Sequence, residues 1–97
     1  MDDTIRKLAP EQTIAEGSAQ GVYTAKQGQY LAFIYYYTKI HGRSPSEVDM
    51  RDYFRVSPPS VHQMVLSLEK RRLIERTPGQ SRSLKLMLPR EQLPDLM

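Results

Sequence analysis

The sequence predicts a mainly α-helical domain closed by a small β-hairpin, three helices and then a wing. Two observations carry that prediction. Thr24, Ser46 and Ser57 each stand where a helix start wants a capping hydroxyl, and apolar residues at helical spacing follow each of them. Beyond Arg72 the period changes from helical to alternating, and Pro78-Gly79 separates Leu73-Ile74-Glu75-Arg76 from Leu84, Leu86 and Leu88. Helix, short turn, helix, hairpin is the order of a winged helix-turn-helix.

Residues 1–22 read as an N-terminal tail, either disordered or dimerising. Pro10, Gly17 and Gly21 interrupt it, and its large aliphatics are sparse. The globular part is expected over 23–88. Thr24-Ala25-Lys26-Gln27 has the pattern of a capping box, so the first helix should run from Ala25 to His41 and stop at Gly42. Tyr30, Phe33, Ile34, Tyr37 and Ile40 share one side of that helix and should face the core, with Tyr35, Tyr36 and Lys39 turned away.

Pro45 breaks the chain after Ser44, because the residue before a proline disfavours helical geometry. Ser46 then caps a short helix, Glu47 to Phe54, with Val48, Met50 and Phe54 expected inward. Arg55-Val56 makes the turn, with Val56 plugging the core. A third helix opens at Ser57-Pro58 and should extend to Arg72; proline is tolerated there because the first amides of a helix have no partner. Its residues Val61, Met64, Val65 and Leu68 form an apolar face. Pro59, Ser60, Gln63, Ser67 and Lys70 fall on the other side. The hairpin tip carries Gln80, Ser81 and Arg82, and Pro89 ends the hairpin, leaving 89–97 as a short C-terminal tail.

Composition narrows the function. The chain has 97 residues, no cysteine and a net charge of +3, so disulfides and thiolate metal sites are excluded. No apolar run reaches the roughly 20 residues of a membrane span, and no signal-peptide core is visible near Met1. The charge is uneven: residues 1–22 carry a net −2, residues 57–88 a net +4. The surplus cations therefore lie on the third helix and the hairpin, as binding to a polyanion requires.

A helix that presents small polar side chains and leads into a basic hairpin suits the major groove of DNA. Gln63 can pair bidentately with adenine, and Ser60 and His62 can reach base edges or phosphates. Ser57 caps the helix and stands where a phosphate could meet it. Lys70, Arg82 and Lys85 are expected phosphate contacts, with Arg82 projecting from the wing tip. Tyr53 more readily packs. The two histidines lie on separate helices and no phosphate-cradling glycine loop or metal spacing is present, so no catalytic site, metal, cofactor or small-molecule ligand is expected.

From about Tyr23 to Leu88 the chain resembles the N-terminal domain of the LexA repressors. The resemblance rests on Thr24-Ala25-Lys26-Gln27, on Gly42 with Pro45, on Ser57-Pro58, on Leu73-Ile74-Glu75, and on Gly79, Ser81, Arg82 and Leu84 in the wing. MarR-type regulators share the passage from helix to wing and are the next nearest. The LexA resemblance implies a sequence-specific DNA-binding transcriptional repressor. Its second domain, a self-cleaving Ser-Lys protease, has no counterpart before Met97, so a reader domain standing alone is expected. Where the family reads bases with an asparagine and acidic residues, this chain has Pro59, His62 and Gln63, which implies a different operator. Arg55 and Arg72 stand where glycine is common in these turns.

The expected partner is double-stranded DNA, bound by a homodimer because one small helix reads too few base pairs. Its contact would lie in the tail, at Tyr35-Tyr36, or at Leu93–Met97. The expected location is the bacterial cytoplasm, at the nucleoid. The other reading is a winged-helix module that binds a protein instead of DNA.

Overall fold

The computed structural model describes residues 22–97; the expectations placed on residues 1–21 lie outside them. Three helices come first: α1 (Ala25–His41), α2 (Glu47–Phe54) and α3 (Pro58–Lys70). Two short strands follow, β1 (Ile74–Glu75) and β2 (Lys85–Leu86), paired antiparallel with Ile74 opposite Leu86 and Glu75 opposite Lys85. A 3-10 turn at Arg90–Gln92 completes the order. This is a winged helix.

The caps fix the helix boundaries. At α1, Thr24 Oγ1 accepts from the Gln27 amide at 3.1 Å, and Gln27 Oε1 accepts from the Thr24 amide at 2.9 Å. At α2, Ser46 and Asp49 make the same reciprocal pair at 3.1 and 2.9 Å. Each box satisfies two backbone donors that have no partner within the helix. Gly42 leaves α1 in the left-handed region at φ 76°. Arg55 and Arg72 do the same work at φ 57° and φ 62°, conformations that glycine adopts more cheaply. That is why α3 ends at Lys70 rather than Arg72. The chain reverses at Arg72, and the Leu73 amide donates back to the Leu68 carbonyl at 3.0 Å.

The core gathers Tyr30, Leu31 and Ile34 of α1, Met50 of α2, Val61, Val65 and Leu68 of α3, and Leu73 and Ile74 at the root of the wing. Tyr30 lies flat on Phe54, with centroids 4.0 Å apart and planes 14° apart, which locks α2 against α1. Two residues expected inside are not. Ile40 is 75% exposed in the last turn of α1, and Val48 is 51% exposed. Val48 stands two positions from Met50, about 200° around the helix at the usual 3.6 residues per turn, so burying Met50 turns Val48 outward.

The first half of α1 is buried on more than one side, so Leu31 and Ala32, off the expected stripe, are also fully buried. Gly28 permits the second contact. A Cβ there would come within 2.8 Å of the Tyr23 ring and 3.1 Å of Pro94. The residues expected to form a tail, 89–97, lie along this side. Leu93 is 6% exposed, the Tyr23 hydroxyl donates to the Gln92 carbonyl, and Gln29 bonds the Asp95 carbonyl and the Met97 amide at 2.9 and 2.7 Å. Tyr53 packs on Phe33 and donates to the Met97 carbonyl at 3.0 Å. Among the described residues no helix is long and apolar enough to cross a membrane.

Candidate nucleic-acid interface

Helix α3 is built with two faces. Val61, Val65 and Leu68 are fully buried, which forces the opposite side of the helix outward. Ser57 caps it: its Oγ accepts from the Ser60 amide at 3.3 Å and lies 2.9 Å from the Ser60 hydroxyl. Pro59, Ser60, Gln63, Met64 and Ser67 then line a shallow depression, and Lys26 from the first turn of α1 closes one side of it. Pro59, Ser60 and Gln63 are exposed, and the Gln63 amide has no partner among the described residues. Gln63 thus sits near the centre of an open polar strip with a cation at its edge.

The other expected site residues divide. Ser67 faces the strip, but its Oγ accepts from Gln27 Nε2 at 3.0 Å, joining α1 to α3. Lys70 continues the strip, exposed at the end of α3. His62 stands to the side that faces α2, with Nδ1 3.1 Å from Glu47 Oε2. Lys85 is exposed on β2 beside Lys39, Tyr35 and Thr38 of α1, away from the α3 strip.

Arg82 requires a correction. It does not project from the wing tip. Its guanidinium turns inward, and Nη1 donates to Asp49 Oδ2 at 2.9 Å, the Tyr37 hydroxyl at 3.2 Å and the Ser44 carbonyl at 3.4 Å. The backbone there is left-handed, with Arg82 at φ 56°. The Leu84 amide adds a bond to the buried Ser44 hydroxyl at 3.2 Å, and Ser83 Oγ accepts from the Thr77 amide at 2.9 Å. The wing is therefore pinned to the start of α2, and Arg82 is the pin.

Asp49 holds both the α2 cap and the wing. The Ser46 backbone amide keeps its carboxyl below the usual carboxylate range. The Ser46 and Tyr37 hydroxyls and the Arg82 charge add to that, against partial burial. A carboxylate depressed in the folded state stabilises the fold above its unfolded value, and the contribution disappears as pH falls through the folded value. Arg82→Ala is therefore expected to lower the thermal midpoint at neutral pH. The gap to wild type should narrow in acid, once Asp49 is protonated in both proteins. A gap independent of pH in a thermal scan series would show that the Asp49–Arg82 pair is not its source.

Sequence reasoning missed Lys26 and Glu47. Lys26 is legible in hindsight, as the exposed residue beside Gln27, whose side chain faces α3. Glu47 has no such signal, because its partner lies 15 residues away on another helix. Of the surfaces expected to bind a second copy, Tyr35 and Tyr36 are half-buried under Arg90. The Arg90 guanidinium lies 5.5 Å from the Tyr35 ring centre and donates to the Tyr36 hydroxyl at 3.1 Å. Leu93 is taken up by the core.

Three helices, a pinned wing and a bare outer strip on the third helix define a winged helix-turn-helix domain. The chain is 39% identical over 70 residues to the LexA repressor of Thermosipho melanesiensis, which covers 72% of this chain and 35% of that protein. It is 41% identical over 64 residues to the LexA repressor of Thermosipho africanus, covering 66% of this chain and 32% of that one. The chain spans about a third of the length of these relatives. No protein-family model matches it. The domain is a LexA-like N-terminal winged helix.

Proposed function

We propose that this domain binds duplex DNA and regulates transcription, as the name of its LexA relatives suggests, acting as a repressor. Helix α3 enters the major groove, with Ser60, Gln63 and His62 directed at base edges and Pro59 bounding the strip. Lys26, Lys70 and the Ser57 end of α3 meet phosphates, Ser67 supports the strip through Gln27, and Lys85 acts only where the duplex bends toward β2. The wing flanks the duplex through Gln80 and Ser81, while Arg82 holds it in place instead of contacting phosphate. The carrying observation is the α3 strip, left open and polar while the opposite face of the same helix is fully buried. A solvated helix needs no adjoining cation and no wing pinned beside it.

Dimerisation on DNA completes the proposal, since one such helix spans few base pairs. The domain division follows the same reading, with 23–88 as reader and 89–97 packed on it as a strap. Catalysis is no part of the proposed role.

A mobility-shift titration on random duplex tests the reading. Each neutralised phosphate adds about −0.9 to the slope of log affinity against log salt. Three contacts per domain predict a slope of about −3, a loss of roughly fortyfold between about 50 and about 200 mM salt. Absence of binding at low salt, or binding indifferent to salt, would overturn the proposal.

A further inference from the structure

Helix α3 carries an exposed histidine at the flank of its polar strip, on the side that faces α2, and a carboxylate of α2 meets one nitrogen of its ring. His62 Nδ1 lies 3.1 Å from Glu47 Oε2 and 3.4 Å from Oε1. An ionised carboxylate only accepts hydrogen bonds, so the shared proton sits on Nδ1. In the neutral ring the other nitrogen, Nε2, is then an acceptor, directed away from Glu47. Glu47 is placed for this by the backbone, with both side chains half-exposed. It is the first residue of α2, next to the Ser46–Asp49 capping box, and the wing is pinned to that same turn through Arg82.

We infer that Glu47 is a specificity-determining residue that acts through His62, making the imidazole an acceptor-only reader of the major groove. The inference rests on the proposed DNA-binding role. An acceptor suits cytosine N4 or adenine N6, both donors, and rejects guanine, whose O6 and N7 are themselves acceptors. One position of the operator should therefore favour cytosine or adenine over guanine. The charged groups near the pair have partners of their own: on α2, Arg51, one turn from Glu47, pairs with Asp52 at 3.1 Å. From the wing, Arg76 and Arg82 line the depression next to Glu47, but they pair with Glu69 at 3.0 Å and Asp49 at 2.9 Å. On α3 itself, Pro58, Pro59, Val65 and Leu66 are the residues one turn away, and none titrates.

The experiment is selection of bound sites from random duplex DNA at about pH 8, above the ordinary histidine range. It is run on the whole chain as wild type, Glu47→Ala and His62→Ala, with circular dichroism confirming that each is folded. Wild type should prefer cytosine or adenine over guanine at one position by roughly fivefold to tenfold, the range of one hydrogen bond. Both variants should lose that preference. Glu47→Ala leaves His62 and its reach intact but removes the acceptor for Nδ1, so it separates fixing of the proton from simple loss of the ring. A wild-type preference for guanine at that position would overturn the inference. So would a profile that Glu47→Ala leaves unchanged. Failure of all three proteins to bind duplex at low salt would overturn the DNA-binding role, and the inference with it.

Discussion

Tyr30→Ala is expected to lower the free energy of unfolding by about 4 kcal/mol, the middle of the range for removing a buried aromatic ring. Tyr30 is fully buried, and its ring is stacked on Phe54 at 4.0 Å, so truncation removes apolar burial and a directed ring contact together. Phe54 also meets Phe33 edge-on at 5.6 Å and Tyr53 at 4.9 Å. These neighbours form a cluster across the α1–α2 junction that cannot collapse into the space one ring leaves. A domain of this size has total stability of roughly 4–11 kcal/mol, so the loss is a large part of it. Denaturant titration checks the value. A change under about 1 kcal/mol would mean that the α1–α2 junction is held elsewhere. The junction matters to the proposed function because α2 carries both Glu47 and Asp49, to which Arg82 pins the wing.

Much of this architecture was legible in the sequence because it is written in local chemistry. The helix starts at Thr24, Ser46 and Ser57 each act over three residues, and α1 and α2 begin and end where those signals place them. The buried and open faces of α3 follow from helical spacing alone, and the arginines at turn positions where glycine is common proved to be left-handed residues. What escaped was set by partners far along the chain. Leu31 and Ala32 are buried because residues near the C-terminus cover a second side of α1, which no periodicity within α1 records. Arg82 looked like a wing-tip cation because its neighbours in sequence are exposed and polar. Its actual partners, Tyr37, Ser44 and Asp49, lie 33 to 45 residues away. The same distance problem hid Glu47 behind His62. Sequence thus located the α3 strip, while the support that orients it needed three dimensions.

Gln63→Ala is expected to separate base reading from anchoring. The Gln63 amide is exposed at the middle of the α3 strip, between Ser60 and Ser67, with Lys26 at the margin. A side-chain amide offers a donor and an acceptor side by side, the complement of adenine N7 and N6 in the major groove. Truncation to alanine keeps the helix, since alanine is the best helix former and no described residue depends on the amide. The expected loss on the preferred site is about 1–3 kcal/mol, with preference relaxed at one base pair and affinity for random duplex nearly unchanged. Lys26→Ala should behave in the opposite way, weakening all sequences about equally and reducing the salt slope by about one unit. Competition binding against selected and random duplex measures both. If Gln63→Ala stays folded and leaves the selected-site profile as it was, α3 is not the reading helix. The salt dependence would then have to come from cations elsewhere, with Lys39 and Lys85 beside β2 the first to examine.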